Sequence, residues 1–246
     1  MQRNKLKIVS KKIKRAIIKI SGELFGKKDQ PINFLQYDSV AKQLIKIVRS
    51  TGIQLAIVVG GGNIFRGREA SLDVDHNEAD SMGMMATIIN GIGLREAFLR
   101  NGYEDTRLMT AFNLLDFAEP YIRLKGRHHL DLGRITIIAG GLGKPNFSTD
   151  SAVAQYADEL LCEVILKAST VDGVYDCDPK KNKEAKRFSS ITYRDALIKN
   201  LNVMDQTAFA MCTKSKIPIF VFDIKDLNKI PNILRGDYSF GTLITN

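Results

Sequence analysis

Runs of β-branched and aliphatic residues alternate along this chain with longer segments whose apolar positions recur every three or four residues. The first run, Ala16-Ile17-Ile18-Lys19-Ile20, predicts a strand over 16–20, and a second predicts one over 53–59. Both are apolar almost throughout, as in strands of a parallel sheet covered on both faces. Between them, Leu44, Ile45, Ile47 and Val48 mark one side of a helix over 35–50, with Gly52 placed to end it. A long helix over 80–100 follows, then a strand over 135–139, a helix over 152–161 and a strand over 164–167. Helices over 193–199 and 204–214 and a strand over 219–222 complete the pattern. Strands alternating with helices predict an α/β fold with a mainly parallel sheet. There is no internal repeat and no low-complexity linker.

Where these strands end, the residues change character. The second runs into Gly60-Gly61-Gly62-Asn63-Ile64-Phe65-Arg66-Gly67. Glycines let several backbone N–H groups converge on an anion, and Arg66 and Arg68 add guanidinium forks for phosphate oxygens. The strand over 135–139 feeds Gly140-Gly141-Leu142-Gly143-Lys144, and Ser148, Thr149 and Asp150 are N-cap types ahead of the next helix, so a second anion site is expected. Lys19, Lys144 and Lys167 all fall near strand ends beside these loops. Open α/β sheets bind ligands along that edge. Phosphoryl transfer asks mainly for positioning and for cations that offset charge on the transferred group.

Other chemistries lose support. Gly22-Glu23-Leu24-Phe25-Gly26-Lys27-Lys28 is one residue short of a P-loop and lacks its Ser or Thr. The 141–146 loop misses the third glycine of a dinucleotide fingerprint. His76, His128 and His129 have no metal-ligand spacing, and surface or loop positions are expected for them. Met82, Met84 and Met85 are expected in the core or at a subunit interface.

Composition narrows the picture further. The chain has 246 residues, 44% of them hydrophobic, enough for one domain with a substantial core. We divide it into a basic segment over 1–15 and a single domain over 16–246. Cys162, Cys177 and Cys212 form no pair motif and are expected to be reduced, in a cytoplasmic protein. No apolar run approaches a membrane span and the N-terminus lacks a signal-peptide core, so no membrane association is expected. The net charge of +9 owes part of its value to Arg3, Lys5, Lys7, Lys11, Lys12, Lys14 and Arg15. With no aromatic residue interleaved, that block is expected to be a solvated arm and not a nucleic-acid-binding one.

Taken in order and spacing, several stretches carry a resemblance over nearly the whole chain: Lys19 to Glu23, Gly60 to Gly67, Asp80 to Thr87, Thr149 to Ala152, Lys167 to Ser169, Val171 to Tyr175, Asp178-Pro179, Val203 to Asp205 and Gly241 to Ile244. The chain resembles bacterial-type uridylate (UMP) kinases of the amino acid kinase family. The resemblance implies a three-layer α/β/α sandwich, transfer of the ATP γ-phosphoryl group to UMP to give UDP, Mg²⁺ carried by the nucleotide phosphates, and a homohexamer. It places ATP phosphates on Lys19, Ile20, Ser21 and Gly22 with Gly62 and Arg66 beside them, and the rest of ATP on Ser169, Tyr175 and Asp178. Asp178 has a second reading, as the turn residue of an Asp-Pro step. UMP is implied at Gly61, Asp80, Leu142, Gly143, Lys144, Pro145, Asn146, Phe147, Ser148 and Thr149. Catalytic roles fall to Lys19, Arg66, Asp150 and Lys167, with Asp150 organising the lysines.

Two departures stand out. Leu142 and Asn146 replace a threonine and a phenylalanine of many relatives. Phe25 to Pro31 replaces a glycine-rich stretch used in GTP activation, so little activation by GTP is expected. Two other readings remain: a carboxylate or carbamate kinase of the same family, such as acetylglutamate kinase, and a nucleotide-sensing or nucleic-acid-binding regulator.

Overall fold

The computed structural model describes residues 13–26, 29–66, 74–201 and 203–246. Arg68, Lys27, Lys28 and most of the basic N-terminal block lie outside the described residues. The chain opens with β1 (Arg15–Ile20), α1 (Phe34–Thr51), β2 (Gln54–Val59) and α2 (His76–Arg100). It continues through β3 (Thr106–Thr110), β4 (Glu119–Pro120), α3 (Arg123–Asp131), β5 (Ile135–Ala139) and α4 (Thr149–Glu159). Then come β6 (Val164–Ser169), β7 (Ser190–Thr192), α5 (Tyr193–Ile198), α6 (Gln206–Ser215), β8 (Ile219–Asp223), α7 (Ile230–Ile233) and β9 (Gly241–Thr245).

Among the described residues the strands form one nine-stranded sheet in the order β4-β3-β5-β2-β1-β6-β8-β9-β7, with only β8 and β9 antiparallel. Side chains alternate between the two faces of each strand. Ile18, Ile57 and Leu166 face α1, α2 and α7, whereas Ile17, Val58 and Ile165 face α3, α4, α5 and α6. This is the expected α/β architecture, with helices on both sides of a mainly parallel sheet.

Several expectations need correction. The second helix begins at His76, not at 80, because Asp75 caps it by accepting from the N–H groups of Asn77 and Glu78. The helix expected over 152–161 starts at Thr149 and stops before Leu161, whose φ of 59° is left-handed. The one expected over 204–214 starts two residues later, behind the cap Asp205. His129 is buried and bonded through Nε2 to Glu119 at 3.1 Å, contrary to its expected surface position; His76 and His128 are exposed. Met82 and Met85 stand out to solvent on the single chain, along a stripe continued by Ile89.

Helix α1 shows why the pattern was readable. Leu44, Ile45 and Ile47 are buried, Asn33 caps the helix by accepting from the Leu35 N–H, and Gly52 closes it at φ 69°. Leu44→Ala removes a fully buried side chain and should destabilise the protein by about 2–5 kcal/mol in urea unfolding. A loss within error of zero would contradict this packing.

Candidate active site

The centre of the candidate site follows from strand register. Lys19 of β1 lies directly opposite Lys167 of β6. By alternation both share the face of Ile17 and Ile165, beneath α4. In-register residues on adjacent strands sit about 4.8 Å apart, and like charges there repel. Asp150, in the first turn of α4, stands between them: its Oδ2 accepts from Lys167 Nζ at 2.6 Å, and its Oδ1 lies 3.4 Å from Lys19 Nζ. The second contact is an ion pair without hydrogen-bond geometry. All three side chains are largely buried, at 15%, 12% and 16% exposure for Lys19, Lys167 and Asp150.

Burial pushes the Asp150 carboxyl up, but the two ammonium groups more than reverse this and hold it below its ordinary 3.8. Burial pulls Lys167 below its ordinary 10.5, and the attraction of Asp150 offsets only part of that. Lys167 also donates to the carbonyl of Val203 at 2.5 Å. Asp150 is held in turn from below. Ser148 caps α4 by accepting from the N–H groups of Asp150 and Ser151, and it donates to Asp205, the cap of α6. Ser151 donates to Asp205 at 3.1 Å. The two helix starts are therefore tied to each other through Asp205.

Around this cluster the glycine loops meet. After β1 the chain makes a short 3-10 turn at Gly22–Leu24, and Gly60 donates its N–H to Ile20 at 2.9 Å. A Cβ on Gly22 would stand 2.5 Å from Asn63 Oδ1 and 2.8 Å from the Gly60 carbonyl, so only glycine allows this approach. Gly61 and Gly62 have no intramolecular acceptor for their N–H groups among the described residues, as a backbone anion cradle requires. A cavity of about 170 Å³ opens between Gly61, Gly62, Asp80, Gly141, Phe147, Ser148 and Thr149. Across it, Asp80 Oδ2 accepts from the N–H of Asn146 at 2.6 Å. Asn146 adopts a left-handed φ of 70°, which asparagine tolerates. Two wider grooves, of about 510 and 530 Å³, lie beside Lys46 and beside Arg95, away from the glycine loops.

Other residues expected at the site stand further from the lysine cluster. Arg66 pairs with Glu23 and donates to the Gly62 carbonyl at 2.9 Å, at the rim. Lys144 is exposed, and Leu142 and Gly143 are partly so. Ser169 ends β6, Tyr175 donates to Asp172 at 2.6 Å, and Asp178 accepts from the N–H of Lys180 at 2.9 Å, the geometry of an Asp-Pro turn. Sequence reasoning assigned nothing to Thr87 or Asn90 of α2, nor to the Val203 carbonyl or the Asp205 cap. Thr87 accepts from the N–H of Gly140 at 2.7 Å and so ties α2 to the third loop. Two polar residues three apart inside an apolar helix were the available signal.

A carboxyl held below its ordinary value stabilises the fold above that value and loses this contribution as pH falls through the depressed one. Asp150→Asn leaves two buried ammonium groups facing each other and should destabilise by about 3–5 kcal/mol at neutral pH. Chemical denaturation from pH 7 downward checks this: the gap to the parent should narrow once pH falls below 3.8, and a gap independent of pH would contradict the assignment.

Comparison with known proteins agrees with this fold. The amino acid kinase family model matches residues 14–223. The structure of UMP kinase from Bacillus anthracis is 38% identical over 96% of this chain and 97% of that one, with a TM-score of 0.90. UMP kinase from Ureaplasma parvum is 36% identical over 96% and 100%, with a TM-score of 0.88. The uridylate kinase from Archaeoglobus fulgidus, 22% identical over 94% and 99% with a TM-score of 0.71, shares the fold. With the family's match spanning most of its length, and its buried lysine pair and glycine loops at one sheet edge, the chain belongs to the amino acid kinase family.

Proposed function

We propose that this protein transfers the γ-phosphoryl group of ATP to UMP, giving ADP and UDP for pyrimidine nucleotide biosynthesis in the cytoplasm. One observation carries this reading: the buried Lys19, Asp150 and Lys167 cluster stands at the same sheet edge as the cavity bordered by Gly61, Asp80 and Gly141. The likeness to UMP kinases over nearly the whole chain supports the choice of acceptor.

In this scheme the ATP phosphates take Lys19, Ile20, Ser21, Gly22, Gly62 and Arg66, while Ser169, Tyr175 and Asp178 hold the rest of the nucleotide. UMP takes Gly61, Asp80 and the loop from Leu142 to Thr149. Asp80 spends Oδ2 on Asn146, which leaves Oδ1 to accept from a ribose hydroxyl. A phosphate oxygen of UMP attacks the γ-phosphorus, the bond from that phosphorus to the β,γ-bridging oxygen breaks, and the electron pair leaves with ADP. Lys19 and Lys167, fixed in place by Asp150, offset the charge that builds on the equatorial and bridging oxygens. Such groups act most strongly where water is excluded, and these are buried. No side chain needs to become a covalent carrier.

The described residues contain no group of three His, Cys, Asp or Glu able to hold a metal, and Asp150 is committed to two ammonium groups. Mg²⁺ we assign to the nucleotide phosphates, since the described residues offer no protein cage for it. For the assembly we propose the homohexamer that the resemblance implies. The exposed Met82, Met85 and Ile89 on α2 supply an apolar stripe for a subunit contact. Among the described residues no helix is long and apolar enough to cross a membrane.

A coupled ADP-release assay over UMP, CMP, dUMP and acetylglutamate tests the reaction: UMP should be the fastest acceptor, and faster turnover of acetylglutamate would replace this reading with a carboxylate kinase. Lys19→Ala and Lys167→Ala should each lower kcat far more than they raise the KM for UMP, since contacts made mainly in the transition state behave so. Near-normal turnover in both would remove their proposed roles. Asp80→Asn should weaken UMP binding by roughly 1.5–3 kcal/mol while leaving ATP affinity largely intact. Separate calorimetric titrations decide this, and an equal loss for both nucleotides would mark Asp80 as a structural residue.

A further inference from the structure

Asn90 is fully buried in the middle of α2, on the side facing the triple-glycine loop. An amide taken out of water is unfavourable unless its hydrogen bonds are replaced. Here all are. Its Nδ2 donates to the Gly60 carbonyl at 2.7 Å and to Asn63 Oδ1 at 2.7 Å. Its Oδ1 accepts from the Tyr37 hydroxyl at 2.6 Å and from Asn63 Nδ2 at 3.2 Å. Two donors and two lone pairs are the whole capacity of an amide. The Gly60 carbonyl can only accept, so it fixes which way the amide faces: turned over, oxygen would meet oxygen.

The consequence lies one bond further on. The Gly60 carbonyl and the Gly61 N–H belong to one planar trans peptide and point in opposite directions. Drawing the carbonyl onto α2 therefore aims the Gly61 N–H away from the helix, where it has no intramolecular acceptor among the described residues. With glycine on both sides, no Cβ of the flanking residues opposes rotation of that peptide, and the hydrogen bond from Asn90 is what holds its carbonyl. Rotated, it would present a carbonyl oxygen to an anion in place of a donor. The preceding N–H is held by Ile20 at 2.9 Å, and Asn63 reaches across to the Pro31 carbonyl at 2.7 Å, so the amide pair also ties the loop to the segment after β1.

We propose that Asn90 is a positioning residue for phosphoryl transfer: it locks the Gly60-Gly61 peptide in the orientation that offers the Gly61 N–H to substrate phosphate. The inference rests on the kinase reading of this site and adds to it a residue that does not touch substrate. Asn90→Leu keeps a similar volume without the donors. Its kcat should fall roughly tenfold to a hundredfold, the range expected of small misplacements remote from the chemistry. Phe98→Leu, which thins the core on the same helix, serves as the stability control and should keep near-parental kcat when both are assayed well below their melting temperatures. Parental kcat in Asn90→Leu, or losses in both variants in proportion to their melting temperatures, would overturn the proposal.

If Asn90→Leu fails to fold, Asn90→Asp decides. A protonated carboxyl can still donate to the Gly60 carbonyl and an ionised one cannot, so its activity relative to the parent should rise as pH falls; a flat ratio overturns the proposal. Amide exchange of Gly60, whose N–H is bonded to the Ile20 carbonyl in the parent, supplies a readout that does not depend on the acceptor being UMP. Asn90→Leu should speed it by roughly tenfold or more relative to the parent, and unchanged exchange would count against the lock. An inactive parent would instead refute the kinase reading, with the exchange result still deciding the role of Asn90.

Discussion

Two lysines placed side by side on adjacent parallel strands, under a helix and largely out of water, are the constraint on which the site depends. Their register makes them repel, and burial makes the charge of Lys167 harder to keep. Asp150 resolves both difficulties from the first turn of α4, where an acidic side chain is also favoured by the helix dipole. The carboxylate in turn needs a fixed helix start, and Ser148, Ser151 and Asp205 provide it by joining α4 to α6. On the proposed function, a site built this way holds two cations ready for phosphate oxygens without reorganising when the substrate arrives.

On the opposite face of the sheet, α2 performs the complementary task for the loops. Its Thr87 bonds the N–H of Gly140 and its Asn90 bonds the carbonyl of Gly60. Gly61 crosses the same helix so closely that a Cβ there would meet Ala86 Cβ at 2.8 Å and the Gly83 carbonyl at 2.9 Å. Cations are thus set from one face and backbone donors from the other. Both converge at the carboxyl edge of the central strands, between β1, β2 and β6.

What the sequence disclosed follows the range of the interactions involved. β1, β2, β5, β6 and β8 were readable within a residue or two because strands covered on both faces are apolar almost throughout. The short β3, interrupted by Arg107, and the marginal β4, β7 and β9 lack that signature, since much of their stability comes from neighbours distant in sequence. Helix α3, with Gly126 in its centre and cations along it, was missed for the same reason, and with it the burial of His129 against Glu119. The start of α2 did carry a local signal, Asp75 followed by Glu78, in the spacing of a capping box. At the site, glycine loops and lysines are local features and were legible. The facing of Lys19 and Lys167, and the closing of Asn90 onto Gly60, depend on register and on helix rotation, which no local pattern contains.

The central claim is that fixed cations and backbone donors suffice for direct transfer between two bound nucleotides, with no covalent carrier on the protein. The stereochemical course at phosphorus tests it most directly, using ATP made chiral at the γ-phosphoryl group with oxygen isotopes and UMP as acceptor. A single in-line displacement inverts the configuration in UDP, which is the result this account predicts. Retention would require two successive displacements through a phosphorylated side chain and would contradict it.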